Sequence, residues 1–164
     1  MKNLYLIRHA KSSWKDPSLD DYDRPLNKRG KLAASKMGSW MNQNQYFPDL
    51  ILTSKAIRAK RTARLIADEL KLDFLNIIED HSLYDCPQDH IMKYLQKLDD
   101  RYDSVYLVFH NPSITKLAND FIQDFYFDNI VTSGIVGLKF SMDSWSDISK
   151  TQADLLFYQF PKNF

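Results

Sequence analysis

The chain has 164 residues, enough for a sizeable core, and its 44% apolar share argues against disorder. A formal net charge of +1 gives no general case for nucleic-acid binding, and no stretch approaches the roughly 18 uninterrupted apolar residues of a membrane span. The single cysteine, Cys86, leaves no internal disulfide and no multi-cysteine zinc site; with no secretory pattern at the start of the chain, a soluble cytoplasmic protein is expected.

Leu4-Tyr5-Leu6-Ile7 is an apolar, β-favouring run, short enough for a buried strand, and it ends in Arg8-His9-Ala10-Lys11. Arginine grips a phosphate or carboxylate with two parallel hydrogen bonds, and histidine attacks, donates or accepts a proton near neutral pH. Residues 12–26 have loop composition and read either as a flap over the strand end or as a plain surface connection. Asn27 is a good helix N-cap, and Leu32, Ala33, Met37, Trp40 and Met41 at helical spacing predict a helix over 28–45, weakened locally by Gly30 and Gly38.

Phe47-Pro48 breaks that helix, and Asp49 to Thr53 reads as a second buried strand. Ser54 is expected to cap a second helix with Ala63, Ile66, Ala67 and Leu70 on its inner face. Its first turns carry Lys55, Arg58, Lys60, Arg61 and Arg64, charges that oppose the helix macrodipole. Most of these suit a solvated face, but Arg58 sits one turn past the strand and can reach back over the sheet rim. A short third strand is predicted over 73–78, followed by a polar loop with Glu79, Asp80 and Asp85. Pro87 suits the first turn of a third helix, with Ile91, Tyr94, Leu95 and Leu98 inward.

Asp103 to Phe109 is the clearest strand, followed directly by His110-Asn111-Pro112. Asn111 and Pro112 are expected to cap and open a fourth helix that turns Ile114, Leu117, Ala118 and Phe121 inward. Phe125, Tyr126 and Phe127 form an aromatic patch suited to packing. Two further strands, about 135–140 and 154–160, close the chain and suit a hairpin. Strands alternating with helices imply an α/β fold: a three-layer α/β/α sandwich with a mostly parallel sheet and helices on both faces. One domain over residues 1–164 is expected.

In such a sheet the carboxyl ends of the strands share one rim, where ligands bind. Arg8 and His9, Arg58, and His110 then converge from three segments, and two guanidinium groups with two imidazoles describe a site for a phosphoryl group. No P-loop glycine run, no Asp-x-Asp or His-x-His pair after a strand, and no Cys-x5-Arg loop is present. Histidine is left as the nucleophile: His9 would carry the phosphoryl group while Arg8, Arg58 and His110 hold its oxygens.

Leu-Ile-Arg-His-Ala, Arg-Pro-Leu-Asn-Lys-Arg-Gly, Thr-Ser-Lys-Ala-Ile-Arg-Ala-Lys-Arg-Thr and Val-Phe-His-Asn-Pro resemble the histidine phosphatase superfamily, with its phosphoglycerate mutase-like fold. The small size and the Arg-His-Ala-Lys-Ser form are similar to its SixA-type phosphohistidine phosphatase branch. The resemblance implies that Arg8, His9, Arg58 and His110 are the phosphate pocket, with His9 phosphorylated. No cofactor and no metal are expected. Ala10 stands where the superfamily usually has glycine. Larger members take a general acid from the loop after the third strand; Asp85 is the nearest candidate here, with Glu79 and Asp80 behind it. An enzyme without a placed acid suits phosphohistidine, whose P–N bond breaks readily, and the SixA-like branch is similar in lacking the usual acid. The expected partner is a phosphorylated protein or a small phosphorylated substrate, with no nucleic acid and no membrane. Other functions of the same pocket are a small-molecule phosphomonoesterase, a mutase, or a non-catalytic module that binds phosphorylated ligands.

Overall fold

A computed structural model describes residues 1–73, 76–150 and 152–164. Among the described residues six strands form one sheet: β1 (Lys2–Arg8), β2 (Leu50–Thr53), β3 (Ile77–Glu79), β4 (Ser104–Phe109), β5 (Ile135–Phe140) and β6 (Ala153–Gln159). Their order is β3-β2-β4-β1-β5-β6. The first four of that order are parallel, whereas β5 runs against both β1 and β6. The mostly parallel sheet and the closing hairpin match the reading of the sequence.

The period-2 alternation of side chains divides the core into two layers. Leu4 and Leu6 of β1 face the side covered by α3 (Gln88–Gln96) and α4 (Ser113–Phe121). Tyr5 and Ile7 face α1 (Lys28–Gln43) and α2 (Ile57–Leu70). Helices on both faces follow from strands that are apolar on both sides: every residue of β2 is buried. The Phe125–Phe127 patch splits: Phe127 is buried in the core, while Phe125 and Tyr126 are exposed.

Three local expectations are corrected. Ser54 does not cap α2, which starts only at Ile57; its N–H continues the ladder by donating to the Val108 carbonyl, and its hydroxyl is spent on His110. Asn111 does not cap α4; its side-chain amide donates to Asn129 Oδ1 and to the Ile130 carbonyl. The third strand is Ile77–Glu79, set by its pairing with Ile51–Thr53, and residues 74 and 75 of the expected span lie outside the described residues.

Asn27 caps α1 as expected, its side chain accepting from the Gly30 N–H at 2.7 Å. The two glycines of this helix serve close packing. A Cβ on Gly38 would stand 2.9 Å from the Ile66 Cα of α2, and one on Gly30 only 2.1 Å from the Lys11 carbonyl oxygen. Gly30 thereby lets the first turn of α1 press on the backbone that leaves β1, where the Asn27 N–H also donates to the Lys11 carbonyl. Alanine is worth about 1 kcal/mol over glycine inside a helix. Gly30→Ala is nevertheless expected to destabilise by about 2 kcal/mol, because the backbone of Lys11 must move. Urea unfolding of the variant checks this.

Candidate active site

The sheet order assembles the site. β1 and β4 are neighbours with Arg8 opposite Phe109, so the next residues, His9 and His110, leave the sheet side by side. The His9 N–H donates to the Phe109 carbonyl, and the two rings lie 5.1 Å apart between centroids. β2 flanks β4 on its other side and delivers Ser54 and, through α2, Arg58. Arg58 is 5% exposed, whereas Lys55, Arg61 and Arg64 on the same segment are exposed. Its Nε lies 3.4 Å from His9 Nε2 and its Nη2 3.5 Å from His110 Nδ1, so one guanidinium bridges both imidazoles. Arg8, His9, Arg58 and His110 line a cavity of about 480 Å3. Arg8 Nη1 donates to the Ile130 carbonyl at 2.8 Å, and its Nε is buried without a protein partner.

The partners of each ring fix its tautomer. His9 Nδ1 lies 2.8 Å from the Ala10 carbonyl, which only accepts, so Nδ1 carries the proton and Nε2 keeps a lone pair toward the cavity. His110 Nδ1 accepts from Arg58, so Nε2 donates to Ser54 Oγ at 2.6 Å. Electrostatics agree with two neutral rings. Burial lowers His9 to about 4, and the Arg58, Arg8 and Arg24 charges add to it against the opposing bond to Ala10. Burial lowers His110 to about 3, with His9 and Arg58 adding to it.

Residues 12–26 fold back over the rim. A 3-10 turn at Asp21–Asp23 sets Asp21 on Arg58: Arg58 Nη1 donates to the Asp21 carbonyl at 2.5 Å and Nη2 to the carboxylate at 2.8 Å. Arg24 Nη2 donates to the same carboxylate at 3.2 Å, and the Tyr84 hydroxyl donates to it at 2.7 Å. Partial burial works to raise this carboxyl, but the bonds from Tyr84 and Arg58 and the nearby arginine charges outweigh it and hold it at about 2. The Arg24 guanidinium is stacked 3.4 Å over Trp14, which fastens the segment to itself.

Arg8, His9, Arg58 and His110 are therefore brought together. Asp85 stands exposed just outside, in the left-handed region at φ 50°, and is not among the residues lining the cavity. From the same loop it is Tyr84 that touches the site residues, its ring edge-on to His110 at 5.3 Å. Asp21, Arg24, Tyr84 and Thr62 are not among the site residues that the sequence singles out, and Ser54 is read there only as a helix cap at the strand end. Arg24 and Thr62 do stand within the motifs that carried the resemblance. The Ala10 N–H donates to Thr62 Oγ1, which itself donates to the Arg58 carbonyl, tying the end of β1 to α2.

Comparisons with known proteins agree with this fold. A family model described as the histidine phosphatase superfamily (branch 1) matches residues 4–116. An uncharacterized protein of Mycobacterium leprae is 28% identical over 95% of this chain and 100% of its own length. An uncharacterized chloroplastic protein of Arabidopsis thaliana is 44% identical over 63 residues, which is 38% of this chain but only 29% of that protein. A solved structure assigned as the phosphohistidine phosphatase SixA of Agrobacterium tumefaciens superposes with a TM-score of 0.83 at 26% identity, covering 98% of each chain.

Two outcomes are expected of the site. The histidines titrate near 6.5 when unfolded but only near 4 and 3 when folded, so the unfolded chain binds more protons between those values. Stability should be level above about pH 7.5 and fall as pH drops through 6 and 5. Thermal melting across that range should show a shallower slope for His9→Asn with His110→Asn than for the unsubstituted chain. Separately, Asp21→Asn removes a negative charge from the arginines that would hold a phosphate. Calorimetric titration with inorganic phosphate at pH 7 should show binding tightened about fivefold.

Proposed function

The chain belongs to the histidine phosphatase superfamily, branch 1, and on that premise we propose that it hydrolyses phosphohistidine in a protein through a phosphohistidine on its own His9. His9 Nε2, neutral and with its lone pair toward the cavity, attacks phosphorus; the bond from phosphorus to the substrate's imidazole nitrogen breaks on the far side. Arg8, Arg58 and His110 hold the equatorial oxygens, where charge is stabilised in the transition state. Water then attacks the phosphorus carried on His9, releasing inorganic phosphate and returning the neutral ring. The Nδ1 bond to Ala10 keeps the reacting nitrogen aimed through both steps.

The observation that carries the substrate class is the charge on Asp21. It is the one carboxylate among the described residues lining the phosphate cavity, and it is held ionised far below neutral pH. A group with that affinity for its proton does not protonate an alkoxide. A phosphohistidine already protonated on its other ring nitrogen needs no donor: cleavage of the P–N bond releases neutral imidazole. Asp85 takes no step in that reaction and would serve only an ester leaving group. Localisation in the cytoplasm fits such a role.

The test is a substrate panel run on the unsubstituted chain, His9→Ala and Asp85→Asn. A phosphohistidine-bearing protein should turn over at least a hundredfold faster than sugar phosphates or phospho-acids. His9→Ala should release no phosphate and accept no label from phosphoramidate, while Asp85→Asn keeps its rate on the phosphohistidine protein. Turnover surviving in His9→Ala defeats the covalent mechanism; a phosphomonoester as the best substrate defeats the substrate class.

A further inference from the structure

Beside the phosphate pocket lies a second cavity, larger at about 560 Å3. The two share a wall, because Arg8, Lys11 and Thr132 line both. Lys11 stands in that wall on a backbone fixed by the Asn27 N–H and by the close approach of Gly30. The far side is made by α1 and the C-terminal turn at Pro161–Asn163. Lys36 joins those two: its Nζ donates to the Pro161 carbonyl at 3.2 Å and stands 4.2 Å over the Phe164 ring.

Two chemistries meet there. Leu32, Val131 and Phe160 supply apolar wall, and Leu32 is 64% exposed on a helix that buries its other face. Lys11, Arg29 and Lys162 supply positive charge; none has a carboxylate partner among the described residues, and no Asp or Glu lines the cavity. Arg29 also sits in the first turn of α1, where no acidic residue offsets it and where a cation opposes the macrodipole. An independent observation points the same way. Ser133 is 2% exposed and lines the cavity, yet its Oγ has no partner, as has the Nε of Arg8 on the shared wall. Buried donors without partners cost stability unless a ligand meets them.

The geometry points to this cavity as the subsite for the leaving group, and to a leaving group that carries a carboxylate or other anion on an apolar body. Resting on the reading of His9 as phosphoryl acceptor, the substrate is a phosphohistidine whose protein surface presents an acidic side chain beside an apolar one. Lys11, Arg29 and Lys162 meet the acid, and Leu32 and Phe160 the apolar neighbour.

The experiment compares kcat/KM on two matched pairs. One pair is a phosphohistidine peptide flanked by Glu-Leu and the same peptide flanked by Gln-Leu; the other is 3-phosphoglycerate and glycerol 3-phosphate, which differ in a carboxylate. The unsubstituted chain should prefer the acidic member about tenfold at low salt, with the ratio shrinking as salt rises. In Arg29→Ala with Lys162→Ala the ratio should fall to near one, and in Arg29→Glu with Lys162→Glu a lysine-flanked peptide should become the preferred one. The rate on p-nitrophenyl phosphate, too small to reach the second cavity, reports whether each variant has folded. Equal rates within both pairs for the unsubstituted chain, or an acidic preference that survives the charge reversal, would overturn the inference. If neither peptide turns over while 3-phosphoglycerate outruns glycerol 3-phosphate, the anionic subsite stands, its ligand is a small phosphorylated acid, and the phosphohistidine reading falls.

Discussion

Arg58 is the group on which the rest of the rim depends. A guanidinium cannot lose its charge, so a 5% exposed arginine must find acceptors on every side. It finds the Asp21 carbonyl and carboxylate on one side and the free nitrogens of His9 and His110 on the other. Those nitrogens accept only while both rings are neutral, and the arginine's charge is itself among the causes that keep them so. The same contact that satisfies the arginine's donors therefore requires the unprotonated nitrogen that His9 needs as a nucleophile. Protonating either ring would set two cations against each other in a buried place.

The fold serves this contact by removing freedom from its backbone. His9 and His110 emerge from adjacent parallel strands in fixed register, with a ladder hydrogen bond joining the His9 N–H to the Phe109 carbonyl. Thr62 links the Ala10 N–H to the carbonyl of Arg58 itself, so the strand that carries the nucleophile and the helix that carries the arginine move as one. The late start of α2, three residues after β2, is part of the same arrangement. Had Ser54 capped the helix, its hydroxyl would be lost to His110, whose Nε2 it meets at 2.6 Å.

The elements and four of the pocket residues were legible because their signals are local. An apolar run ending in a charged or titratable residue marks a strand end, and helical spacing marks α1, α2 and α4. What was not legible depends on contacts across many residues. Asp21 reaches Arg58, 37 positions away, from a stretch that reads equally well as a surface loop. Tyr84 and Asp85 are neighbours in sequence, and only the left-handed backbone of Asp85 and the edge-on packing of Tyr84 decide which of them meets His110 and Asp21. Ser54 and Asn111 read as caps because capping is the commonest use of such residues after a strand; a tertiary partner takes the side chain from the helix in both places.

The distribution of unsatisfied polar groups carries the argument one step further. Eight buried side-chain atoms lack a partner among the described residues, and four of them belong to Arg8, Arg24 and Ser133 around the two joined cavities. Three of those four are guanidinium nitrogens, and the fold supplies one carboxylate, Asp21, where the arginines of the rim have donors for more. A protein selected for stability alone would fill such positions with apolar side chains or pair them. Donors left over in one place, beside a neutral imidazole, are what a site looks like when the missing partner is an anion that comes and goes. The instability they impose on the free protein is the differential that binding such an anion returns.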